Sequence, residues 1–204
     1  DANVSKYWRY RGDARAEIPD LDGAIADLSK AIELNPADFV AFGNRGIARA
    51  RKAQDDEALA DFLRSIELNP EYRPAFRGRA SIYQRQKKSQ EAKANLDLSN
   101  LIDGARTNSS ALYVRAWAYE RCGLLEPAIR DVSALIETNS RLAHAYAARA
   151  WFEFEAGQTN SAVADSNKAV AFNGKSAGVY LARGVLHYLG KDFPKACEDW
   201  KQAS

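Results

Sequence analysis

The chain of 204 residues is 46% hydrophobic and 27% charged, with a formal net charge of +2. That balance excludes intrinsic disorder and supplies no global field for nucleic acid or an anionic membrane, and no run approaches the roughly 18 consecutive apolar residues of a membrane span. The chain begins at Asp1 and contains no methionine; the expectation is a processed product or an excised fragment, with cytoplasm and periplasm equally open.

From the first residues onward one unit recurs. Trp8 is followed by Gly12 and then Ala24. The same marks return at Phe42, Gly46 and Ala58; at Phe76, Ala80 and Ala92; at Leu112, Ala116 and Ala128; at Tyr146, Ala150 and Ala162; and at Tyr180, Gly184 and Ala196. The alanines are spaced 34, 34, 36, 34 and 34 residues, so the chain is an array whose units bury their apolar faces only by stacking. The predicted repeats are 5–38, 39–72, 73–106, 109–142, 143–176 and 177–204, forming a single array over 1–204.

Within a repeat the first helix carries the bulky mark and, one turn on, the small one. The second helix carries a 3.6-period stripe, Ala24-Leu28-Ala31-Ile32 in the first repeat and Ala58-Phe62-Ile66 in the second, which excludes strands. Asn35-Pro36 and Asn69-Pro70 end the first two repeats, because the residue before proline leaves the α region; Gly104, Ser140 and Gly174 stand near that point later. Gly123 and Gly157 suit the turn inside a pair, with Thr159 expected to cap the helix that follows. Two extra residues fall in the third repeat, and an irregular junction is expected over 103–110.

A second pattern overlies the first. Three residues after each bulky mark stands arginine: Arg11, Arg45, Arg79, Arg115, Arg149 and Arg183. Sixteen residues beyond, five of the six have aspartate: Asp27, Asp61, Asp131, Asp165 and Asp199, with Asn95 in the third repeat. The matching favours Arg–Asp bridges between the two helices of each pair over a row of cations for an acidic ligand. Such a bridge adds little net stability, yet removing one partner costs about 3–5 kcal/mol if the other stays buried.

These marks resemble the tetratricopeptide repeat family over residues 5–204. The resemblance implies an all-α fold, a right-handed solenoid of antiparallel helix pairs with first helices lining the concave side, and a role in protein–protein contact. Some relatives grip a peptide carboxylate with a lysine, asparagine and arginine clamp. Asn44 matches the asparagine, but Pro74 and Gly78 fill the other two positions and Asp13 replaces a further asparagine, so that clamp is not expected here.

Residues two and six beyond each arginine should face the groove. The first slot holds Trp117 and Trp151, with Tyr113, Phe154 and Tyr188 nearby; these rings are either anchors for a partner or core between adjacent helices. The second slot holds Arg51, Arg85 and Arg121, and residues 72–90 contain six basic residues, Arg77 among them, and no acidic one. This strip either receives an acidic segment or complements the ends of the first helices. Catalytic, cofactor and metal sites are not expected, since His144 and His187 lie on different repeats without partners at triad or metal spacing. Cys122 and Cys197 stand two repeats apart, too far for an intrachain bridge. The expected function is a non-enzymatic adaptor holding a protein or peptide segment, acidic or aromatic in character. The alternative is self-assembly, or docking within a larger protein, through the terminal repeat, where Leu189 and Trp200 leave an apolar end. Membrane insertion and nucleic-acid binding are not expected.

Overall fold

The computed structural model describes residues 2–18, 20–102, 109–173 and 177–203. Among the described residues it contains twelve α-helices and no strand. They form two compact units, residues 1–102 and 103–204. The first unit holds α1 (Ala2–Glu17), α2 (Leu21–Leu34), α3 (Phe39–Arg51), α4 (Asp55–Leu68), α5 (Arg73–Arg85) and α6 (Ser89–Leu101). The second holds α7 (Ser109–Arg121), α8 (Leu125–Thr138), α9 (Ala143–Glu155), α10 (Thr159–Phe172), α11 (Ala177–Leu189) and α12 (Phe193–Ala203). Much of the irregular stretch expected over 103–110, together with Gly104 and Gly174, lies outside the described residues, while Ser109 and Ser110 open α7.

Each odd-numbered helix packs on the even-numbered helix after it, and successive pairs pack on one another inside a unit. The pairing is antiparallel: Ser5 bonds to Ala31, Arg11 to Asp27 and Arg15 to Gly23, so position falls on one helix as it rises on the other. At the small mark a bulky side chain of the second helix lies against the first helix. A Cβ on Gly12 would lie 2.8 Å from Leu28, on Gly46 2.8 Å from the Phe62 ring, and on Gly184 2.5 Å from Trp200. Of the three alanine marks, two are matched sixteen residues on by smaller side chains, Val132 and Ser166, and the third by Leu96, which is partly exposed. In those two repeats volume is exchanged across the seam, as a close-packed core requires.

Helix ends follow local chemistry. The N–H groups of Asn35, Asn69, Asn139 and Asn173 bond back to Ala31, Ser65, Leu135 and Ala169, closing α2, α4, α8 and α10. Three of these asparagines, Asn35, Asn69 and Asn139, also accept a backbone N–H two residues on, making the turn to the next pair. Thr159 does not cap α10: it is already inside the helix, and Gln158 precedes it without a side-chain bond. The turns within pairs put Ala53, Lys87, Gly123, Gly157 and Lys191 at positive φ, between 58° and 78°. Glycine suits that conformation, and only two of the five turns have it. No disulfide joins Cys122 to Cys197.

Candidate functional site

The five Arg–Asp pairs form one repeated motif. Arg11 Nε donates to Asp27 at 2.6 Å, Arg45 Nη2 to Asp61 at 2.7 Å, Arg115 Nε to Asp131 at 2.7 Å, Arg149 Nε to Asp165 at 2.5 Å and Arg183 Nη2 to Asp199 at 2.6 Å. Four of the guanidinium groups also lie over the bulky mark three residues earlier: Trp8, Phe42, Tyr146 and Tyr180. Three reach the second helix of the preceding pair through Nη1, to Ser29, Ser133 and Asn167. One arginine therefore ties both its own pair and the pair before it. The Arg11 bond holds the Asp27 carboxyl below its usual range, against the opposing effect of burial. In the third repeat Asn95 turns back on α6 and donates to the Glu91 carbonyl at 2.8 Å.

Of the remaining candidates, Tyr113, Trp117 and Trp151 line a cleft in the second unit and Arg51, Arg77 and Arg85 one in the first, both lined chiefly by first helices. The second unit's cleft, about 310 Å³, lies among α7, α9 and α11 and is lined by Tyr113, Trp117, His144, Trp151 and Val179, with alanine and glycine between them. Both tryptophans are half-buried. Trp117 stands edge-on to buried Phe152 at 4.9 Å, and Tyr113 to His144 at 5.1 Å. The Glu120 carboxyl is pushed up by burial and by the charge of Glu155, against the opposing effect of Trp151. Phe154 and Tyr188 do not line this cleft; Tyr188 instead stacks near Phe193 and Trp200, at 5.6 and 5.8 Å. His144 and Phe152 were not singled out by spacing, because their part depends on how α9 is rotated against α7.

The first unit's cleft, about 660 Å³, is bordered by Arg51, Arg73, Arg77 and Arg85, with Ile47, Ala50, Pro74 and Gly78 between them and Phe62 beneath. Arg51 Nη1 donates to the Ala16 carbonyl at 2.6 Å, and Arg85 Nη2 to the Ala50 carbonyl at 3.3 Å. Each thus reaches the C-terminal end of the preceding first helix, where a cation is favoured. Arg85 also pairs with Asp55. Arg121 belongs to the second unit and lines neither cleft. Asn44 is engaged within the fold: its Nδ2 donates to Asp13 at 2.7 Å and its Oδ1 accepts from Tyr72 at 3.4 Å.

Among the described residues no three His, Cys, Asp or Glu side chains are grouped to hold a metal ion, and no helix is long and apolar enough to cross a membrane.

No protein-family model and no curated protein matches the sequence. Solved structures do. A tetratricopeptide repeat protein from Parabacteroides merdae is 20% identical with a TM-score of 0.46, covering 97% of this chain and 77% of the other. YrrB, described as a TPR protein with an unusual peptide-binding site, is 19% identical with a TM-score of 0.44, covering 86% and 90%. The TPR2AB domain of yeast Sti1 in complex with pHSP90 is 17% identical with a TM-score of 0.44, covering 100% and 90%. In this chain the twelve described helices, paired antiparallel in step with the period of the sequence, fit six repeats of the tetratricopeptide kind.

Proposed function

We propose that the chain is a non-enzymatic protein-binding scaffold, and that the second unit's cleft takes an apolar side chain from an extended or helical segment of a partner protein. The carrying observation is that Trp117 and Trp151 line one cleft from neighbouring pairs, half-buried and not packed away. Tryptophan offers the largest rigid area for such an anchor, and a cleft of this size accommodates one or two side chains. Phe152 behind Trp117 holds that ring in place beforehand, which lowers the ordering cost of association.

Random linear peptides selected on the chain should converge on an aromatic or branched aliphatic residue. Replacing both rings, Trp117→Ala with Trp151→Ala, should weaken the selected peptides by about tenfold or more, with the helical melting curve nearly unchanged. Peptides that bind the double variant as well as the parent sink the reading, and a collapsed melting curve makes the rings core. A second reading, self-association, is favoured by the exposed ring cluster of Tyr188, Phe193 and Trp200 on the last pair.

A further inference from the structure

We propose that the first unit's cleft is a separate binding site for an acidic peptide segment in which carboxylates flank an apolar side chain. This goes beyond the tryptophan cleft, shares no residue with it, and stands or falls independently. Four guanidinium groups, Arg51, Arg73, Arg77 and Arg85, border the cleft, and no described carboxylate is among its lining residues. Between them lies an apolar floor that includes Ile47 and Pro74. Cations around an apolar centre call for a ligand of the inverse pattern.

The placement of these arginines strengthens the case. Arg73 opens α5 and Arg77 follows one turn later, at the positive end of a helix whose first turn has no acidic residue and whose N-cap Tyr72 gives no side-chain bond. Arg77 is exposed. Arg51 and Arg85 are held from behind by the Ala16 and Ala50 carbonyls, and Arg85 also by Asp55, which offsets part of its charge; their positions are fixed before a ligand arrives, and Arg51 keeps further N–H donors for a carboxylate.

Single-stranded nucleic acid fits this cleft less well. Its non-specific binding relies on bases stacking on exposed aromatic rings. The one aromatic residue here, Phe62, is fully covered beneath Gly78, where an added Cβ would come within 2.2 Å of the ring. With a net charge of +2, the whole chain adds little long-range attraction for a polyanion.

The test is calorimetric titration of the intact chain with three probes. These are a short Glu/Asp peptide around a central phenylalanine, the same peptide with Gln/Asn for every acid, and oligothymidylate of equal charge. The acidic peptide should bind, with affinity falling as salt rises, and the amidated peptide should bind at least about tenfold more weakly. Arg77→Glu, and more mildly Arg77→Gln, should weaken the acidic peptide by about tenfold at an unchanged melting curve. Arg121→Glu and the tryptophan double variant should leave it unaffected. The proposal is overturned if no acidic peptide binds, if both Arg77 variants bind as the parent does, or if oligothymidylate binds as tightly as the peptide. Loss of peptide binding in the tryptophan variant alone would assign the ligand to the other cleft.

Discussion

Arg149 touches three elements: Asp165 on α10, the Tyr146 ring on its own helix, and Ser133 on α8. Burial disfavours its charge, but the Asp165 bond and charge outweigh this and lift the guanidinium above its ordinary value. Four residues beyond the bridging arginine lies a slot whose occupant decides the electrostatics around each aspartate. Arg15 and Arg49 fill it in the first two repeats and add a second cation to Asp27 and Asp61, at 3.1 and 2.7 Å. His187 fills it in the last, 3.8 Å from Asp199. In the fifth repeat the slot holds a carboxylate, Glu153, only 8% exposed, with a buried Oε2 that accepts no hydrogen bond. Burial first, and then the charge of Asp165, raise its carboxyl from 4.5 to about 7, against the pull of Arg149 on α9 and Lys168 on α10. Neither α8 nor α11, which also pack on α9, supplies a charge that acts on it. Because the folded value lies above the unfolded one, the native state keeps a proton that the unfolded chain has already released. Stability therefore falls as pH rises from about 4.5 to 7, at most by about 1.4 kcal/mol per unit. Glu153→Gln should flatten that slope and melt higher than the parent at pH 8; thermal melts that run parallel between pH 5 and 8 would show that Glu153 titrates normally.

The turn inside each pair is the clearest case of an element specified imperfectly by its sequence. Gly123 and Gly157 were legible as turn residues because glycine alone announces positive φ. Ala53, Lys87 and Lys191 adopt the same conformation silently: the two helices they join are already held by bridges and core, so tertiary packing overrides the local preference. Asn139 and Asn173 were missed as helix ends for a related reason, since neither precedes the proline that made Asn35 and Asn69 stand out. A left-handed residue with a Cβ costs about 1–2 kcal/mol, partly offset by the greater freedom glycine gives the unfolded chain. Lys87→Gly should accordingly stabilise the chain by roughly 1 kcal/mol, read as a raised denaturant midpoint at unchanged slope. The reverse change, Gly157→Ala, should lower the midpoint by a similar amount, although nothing lies near enough to the adjoining Gly123 turn's Cβ position, or to this one, to clash. A null effect at both positions would mean that the turns relax when the side chain changes.

At the scale of the whole chain, what could be read in advance was whatever recurs. Six copies of one spacing fix the pairs and the Arg–Asp partners, because each repeat checks the register of the others. The clefts are not periodic, and there the reading was partial. Trp117, Trp151 and Tyr113 share one cleft, whereas Phe154, three residues past Trp151, sits near the edge of a helix face about 100° wide and falls outside it. The last pair differs in another way. Sixteen residues past the small mark, Leu28, Phe62 and Val132 are fully buried, while Leu96 and Trp200 in the same slot are each 36% exposed, and Trp200 lies beside a further exposed ring, Tyr188. Phe193, against Tyr188, is exposed as well, at 53%. Clustered exposed rings of this kind favour a second apolar surface, and identical copies supply one at any working concentration. Light scattering should therefore give an apparent mass that rises with protein concentration, and Phe193→Glu, on the exposed end and away from both clefts, should abolish the rise. A mass that stays that of one chain throughout the micromolar to millimolar range would leave the end face without this role. It would leave peptide binding at either cleft untouched, because neither set of lining residues includes Phe193.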